Sequence, residues 1–273
     1  NTIGSIIRLS PGNEALVTLG AAQLSIVIWS VTAWRFGIPT SESHALIAGL
    51  TGAGIASVSI GQVSGEAWTK VLQGLLISSV IGLMAGFAVA KAVVFLFRNT
   101  SRAKSNIFFS YAQVISAAAM AFSHGAQDGQ KFMGVLAAAL IYSGFASNTI
   151  SDGITIPVWV MFLCSIIMSA GTSIGGYRII KKMGMDMVKI EKYQGFSAEI
   201  GASACMLGAT VLGIPLSTTN AKASAIIGAA AARRISNVNW NVVKEMFVAW
   251  GLTFPACLIL GYSMAKLFSF IFG

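Results

Sequence analysis

Charge is scarce in this chain. Only 10% of its 273 residues are Asp, Glu, Lys or Arg, against about 25% in soluble domains. With 55% hydrophobic residues and a mean hydropathy of +0.77, too little charge is left to cover a water-facing surface, so lipid must cover the outside. Acids are the scarcer sign: 9 Asp and Glu against 18 Lys and Arg, a net charge of +9. In a soluble protein that excess would point to nucleic acid. Here the bases sit in short connections between apolar runs, which is the signature of cytoplasmic loops, and no nucleic-acid partner is expected. Cysteine is rare too. Cys164, Cys205 and Cys257 lie singly in apolar stretches, which excludes a disulfide framework and a thiolate metal centre. No nucleotide-binding loop is present, so ATP-driven transport by this chain is not expected. The chain opens without Met and without a signal peptide, and a start that is truncated is the expectation.

What is present is a set of apolar runs. A span needs about 20 apolar residues. Clear candidates are Lys70 to Phe97, Ile154 to Tyr177 and Val243 to Phe272. Less regular ones are Ala15 to Trp34, Asn106 to Ser123, Gln130 to Tyr142 and Phe196 to Leu212. Three basic groups orient them: Arg98, Arg102 and Lys104; Arg178, Lys181, Lys182, Lys189 and Lys192; Arg233 and Arg234. These mark cytoplasmic ends, and the loop Ser143 to Gly153, which has no Lys or Arg, is expected outside. Lys222 is expected to snorkel toward Arg233 and Arg234. Trp68 and Trp240 are expected as interfacial anchors, and the Gly/Ala runs Gly201 to Ala209 and Gly228 to Ala232 as close helix contacts.

Two segments repeat. Gly37-Ile38-Pro39-Thr40-Ser41-Glu42-Ser43-His44-Ala45 returns 176 residues later as Gly213-Ile214-Pro215-Leu216-Ser217-Thr218-Thr219-Asn220-Ala221. At the same offset Gln23 falls on Glu199 and Gly52 on Gly228. Proline removes a helical hydrogen bond, so each repeat marks a break whose backbone needs partners in protein or in a water-filled cavity. Basic groups flank the second copy at both ends; the first copy lacks them, and Lys70 alone runs against that pattern. The expected fold is therefore an all-α polytopic membrane protein. Its inverted-topology repeats would carry broken or re-entrant helices that meet near the bilayer midplane. Residues 1–273 form one transmembrane transporter domain in this reading, with a first repeat over about 1–97 and a second over about 106–273.

Between the copies lies Ser123-His124-Gly125-Ala126-Gln127-Asp128-Gly129-Gln130-Lys131-Phe132-Met133-Gly134, expected to interrupt its crossing. It resembles the signature of the inorganic phosphate transporter (PiT) family, which reads roughly Gly-Ala-Asn-Asp-x-x-Asn-x-x-Gly. The two Gly-Ile-Pro segments, Phe196 to Ile200 with Glu199, and the run from Gly171 to Gly184 are similar to further family segments in the family's order. Gln127 and Lys131 depart from the pattern, standing where it has Asn. Asn1 to Gly4 is similar to the tail of a second signature. The resemblance implies secondary transport of inorganic phosphate, or of sulfate, which members of the family also carry. It further implies Na+ or H+ as coupling ion, no other cofactor, a homodimer, and a multi-pass protein of the cell membrane.

The residues fit such chemistry. An anion needs donors, and broken helices aim N–H groups and positive dipole ends at one point. Ser41, Ser43, Ser217, Thr218 and Thr219 add hydroxyls there, and Gln127 an amide, as candidate substrate contacts; helix capping is the alternative for the hydroxyls. Asp128, a carboxylate in a span, is the first candidate for Na+ or a proton, with a structural pair to Lys131 as the alternative. Glu199, Gln23 and Glu42 are further candidates for the coupling ion. His44, His124 and Lys131 are candidate relays. An ionised acceptor beside the substrate favours phosphate over sulfate, because phosphate retains a proton to donate. An intramembrane serine hydrolase using Ser41 or Ser217 with His44 or His124 is the remote alternative; a duplicated nucleophile argues against it. A channel is disfavoured by the repeats.

Overall fold

Apolar runs with few charges fold as helices in lipid because every backbone polar group must be satisfied internally. The computed structural model describes residues 6, 7, 9, 12–145, 156–213 and 216–272. Its helices are α1 (Asn13–Arg35), α2 (Glu42–Ser57), α3 (Gly65–Leu96), α4 (Arg102–Tyr142), α5 (Val158–Gly175), α6 (Tyr177–Lys181), α7 (Lys192–Leu212), α8 (Thr218–Ala231) and α9 (Trp240–Phe272). Six of them, α1, α3, α4, α5, α7 and α9, are long and apolar enough to cross a membrane. The chain is a multi-pass integral membrane protein built on helices. Asn1 to Gly4, residues 146–153 of the expected outer loop, and Ile214 with Pro215 lie outside the described residues.

The remaining helices explain the Gly-Ile-Pro segments. At about 1.5 Å per residue, α2 and α8 reach only some 24 and 21 Å, short of a hydrocarbon core of about 30 Å. Each follows a helix that stops on a left-handed glycine, Gly37 at φ 67° after α1 and Gly213 at φ 66° after α7. Only glycine takes that conformation without a Cβ penalty. The N–H of Ile38 closes the first stop on Ala33 O, at 2.9 Å. Trp250 Nε1 donates to Pro39 O, at 3.1 Å, and so supplies the break with a partner from protein.

One expectation fails. The segment around Asp128 does not interrupt its crossing; α4 runs unbroken through it from Arg102 to Tyr142. A lone glycine in a helix costs only about 1 kcal/mol. Gly125 and Gly129 are therefore tolerated between long apolar flanks.

The chain divides into two compact units, interleaved in sequence. The first holds residues 1–70, 128–176 and 248–273; the second holds 71–127 and 177–247. In the first, α1 and α2 form a hairpin around Ala21, Ala22, Leu46, Leu50 and Ala53, joined by Val135 of α4 and by Cys257 and Ala265 of α9. Here α9 comes close enough that a Cβ on Gly52 would overlap Leu258 O, and one on Gly261 would overlap Gly49 O.

The second unit repeats this with other helices. The hairpin is α7–α8, and the partner is α3. A Cβ on Gly228 would overlap Leu83 O, and one on Gly86 would overlap Ala225 O. Gly201 abuts Gly86. Gly49 and Gly52 correspond to Ala225 and Gly228 at the 176-residue offset. Each hairpin is thus completed by the long helix that follows the other hairpin in sequence.

Three basic groups collect within the second unit. Arg102 and Arg233 both bond Glu191, the former at 3.3 Å, and Lys182 reaches Glu245 at 2.6 Å. Lys70 is offset by Glu66 one turn earlier, at 2.7 Å. Lys222 sits just past the first turn of α8, roughly three turns before Arg233 and Arg234, and close enough to Glu199 to act on its charge. Trp240 is 55% exposed, as an interfacial anchor would be. Trp68 instead turns inward to bond Thr51, at 3.1 Å.

Candidate functional site

In the first unit the hydroxyls and charges meet at the start of α2. Ser41 is its N-cap and accepts from the His44 N–H, at 3.4 Å. Ser43 is the second residue of the helix and is buried. From α4, Lys131 Nζ donates to Ser43 Oγ at 2.6 Å and to Asp128 Oδ1 at 2.8 Å. The Lys131 and Asp128 side chains are only 12% and 4% exposed. A second cation placed on the same two oxygens would sit roughly 3 Å from the ammonium and be repelled by about 5 kcal/mol at an effective dielectric of about 20. Glu42 accepts from Ser30 Oγ of α1, at 3.0 and 3.1 Å, and feels the charges of Asp128 and Lys131. His44 is buried and stacks on Phe254 of α9, ring centroids 4.7 Å apart. Gln23 is half-buried on α1.

The second unit has a corresponding helix start. Ser217 is the N-cap of α8, accepting from the Asn220 N–H at 3.2 Å and donating to Asn220 Oδ1 at 2.9 Å. Asn220 Nδ2 reaches Ser79 of α3, at 3.5 Å. Thr218 is buried and Thr219 half-buried in the first turn. Gln127, on α4, donates to Met206 O at 3.2 Å and to Thr210 Oγ1 at 2.8 Å. Its amide hydrogens tie α4 to α7. Glu199 of α7 accepts from Ser116 of α4. His124 is half-buried on α4.

Ser41, Ser43, Glu42, His44, Asp128 and Lys131 thus share one unit, and Ser217, Thr218, Thr219, Gln127 and Glu199 the other. Both serines at the breaks cap helices, as the alternative reading had it. A cap uses an oxygen lone pair and leaves the hydroxyl proton for another acceptor, which at Ser217 is Asn220 Oδ1. Sequence reasoning missed Ser30, Ser79, Ser116, Thr210 and Trp250. Each is a hydroxyl or an indole N–H inside an apolar helix, and its signal is only that it stands there.

The profile of a family described as the phosphate transporter family matches residues 1–261. The chain belongs to the phosphate transporter family. A relative in Bacillus subtilis (strain 168), described as a "probable low-affinity inorganic phosphate transporter", is 36% identical over 249 residues, covering 91% of this chain and 73% of its own. One in Rhizobium meliloti (strain 1021), described in the same words, is 35% identical over 259 residues, covering 95% and 76%. The solved structure of a sodium-dependent phosphate transporter superposes with a TM-score of 0.85 at 20% identity, covering 99% of this chain and 85% of that one. That likeness establishes the fold. The phosphate transporter family consists of carriers, not enzymes, so the serines and histidines of the breaks are not a hydrolase.

Proposed function

We propose that the chain carries inorganic phosphate across the membrane as a secondary active transporter, coupled to Na+ or H+, by alternating access. The observation that carries this reading is the pair of short helices, each starting at a buried serine within a family of phosphate transporters. A helix start offers unpaired N–H groups and a positive dipole end. Ser43 accepts from the Lys131 ammonium, and a hydroxyl that accepts from a cation is a stronger donor to an anion. The names of the curated relatives support phosphate as cargo. The basic groups gathered in the second unit support a cytoplasmic face for the ends of α7–α8. The absence of a basic cluster around α1–α2 supports the opposite entry for the first hairpin, and hence inverted repeats.

Proteoliposomes holding the full chain test this. Labelled phosphate should accumulate when a Na+ or a proton gradient is imposed, each applied separately. Sulfate in tenfold excess should compete poorly; uptake blocked by sulfate would make sulfate the cargo. Retention of label at the level of empty vesicles in both gradients would end the transport reading.

A further inference from the structure

We propose that Lys131 is a tethered cation standing where an exchangeable Na+ would bind, so that Asp128 does not carry the coupling ion in this chain. The inference rests on the transport reading and deepens it. Three observations carry it. Lys131 stands where the family signature has an amide, a neutral group able to offer an oxygen to a metal ion. Its ammonium bonds the Asp128 carboxylate at 2.8 Å and the Ser43 hydroxyl at 2.6 Å. Both are oxygens of the kind a hard cation takes, and an ammonium between them fills the place and the charge of that cation. The pair is also buried, with both side chains nearly covered. There, separating the two charges to admit Na+ would leave an ammonium without its carboxylate. The geometry therefore does not fit Na+ at Asp128. The consequence is a changed count of exchangeable cations. This chain brings its own cation to the Asp128 carboxylate and the Ser43 hydroxyl.

The test reads Na+ binding apart from phosphate movement. Equilibrium binding of labelled Na+ to the purified full chain should rise by one ion per chain in Lys131→Asn. In Lys131→Arg, which keeps a cation in place, it should remain at the wild-type value. In Asp128→Asn it should equally remain at the wild-type value. No gain in monodisperse Lys131→Asn, or loss of one ion in monodisperse Asp128→Asn, overturns the proposal. Crystals of the wild-type chain grown with Tl+ as a Na+ surrogate give a reading that needs no variant. An anomalous peak touching Asp128 Oδ1 overturns the proposal, and its absence there supports it. Wild-type vesicles that never take up phosphate would sink the transport reading instead, while these ion measurements would still decide the role of Lys131.

Discussion

Asp128 and Glu199 meet the same problem, a carboxylate inside a membrane helix, in different ways. Asp128 takes an ammonium from its own helix; Glu199 takes a hydroxyl from Ser116. The first is the more demanding arrangement. Lys131→Met should destabilise the protein by roughly 3–5 kcal/mol, because it takes the ammonium away from a buried carboxylate. Asp128→Asn added to Lys131→Met should restore part of that loss, and thermal unfolding in detergent measures both. The serine caps allow a cleaner separation of stability from binding. Glycine replaces a serine N-cap at a loss of only a few tenths of a kcal/mol. Ser217→Gly should therefore barely move the melting temperature. It should raise KM for phosphate about tenfold, the worth of one hydrogen bond to a charged ligand. An unmoved KM would reduce Ser217 to a cap. The residues flagged from sequence were those whose type is rare in a span, such as Asp128 and Lys131. Ser30, Ser116 and Thr210 escaped because a single hydroxyl in an apolar run forms no pattern, and only the fold shows what it faces.

At the scale of elements, the helices were legible almost to their ends. Ser41 to Ser57 became Glu42–Ser57, and Val243 to Phe272 became Trp240–Phe272, because hydropathy and the Gly-Pro stops are local properties of the chain. The continuity of α4 was not legible. A polar stretch with two glycines reads as a break, yet the helix keeps its bonds through it. Gly125 has nothing within 4 Å of where a Cβ would stand. Gly125→Ala should thus stabilise α4 by about 0.5–1 kcal/mol, seen as a raised melting temperature. Gly228 is the contrasting case. Its Cβ would strike the Leu83 carbonyl, backbone that has no rotamer to yield. Gly228→Leu should abolish monodisperse protein on gel filtration, and normal recovery would show that α3 and α8 part more readily than their contact implies.

Over the whole molecule, the repeat was visible as a sequence offset, but its packing was not. Nothing in Gly49, Gly52, Ala225 or Gly228 says which helix will lie on them, since small residues accept any close neighbour. Sidedness is open to direct measurement. With Cys164, Cys205 and Cys257 replaced by alanine, a cysteine at Ser59 should react with an impermeant thiol reagent only from outside. One at Asn237 should react only from the cytoplasm. Labelling of both from one side would rule out the inverted arrangement.

The exchange of long helices between the hairpins also sets a timetable for biosynthesis. The α1–α2 pair emerges first, but Gly261, which seats on Gly49, is translated 212 residues after it. At about 5–20 residues per second, that is a wait of roughly 10–40 seconds. During that time α2 has α1 beside Gly49 but lacks the α9 backbone that covers Gly52. The second hairpin has no such delay, because α3 is already in the membrane when α8 arrives. A chain arrested before α9 should therefore show α1–α2 degraded sooner than α7–α8 in a pulse-chase, since only the first hairpin would lack its long helix.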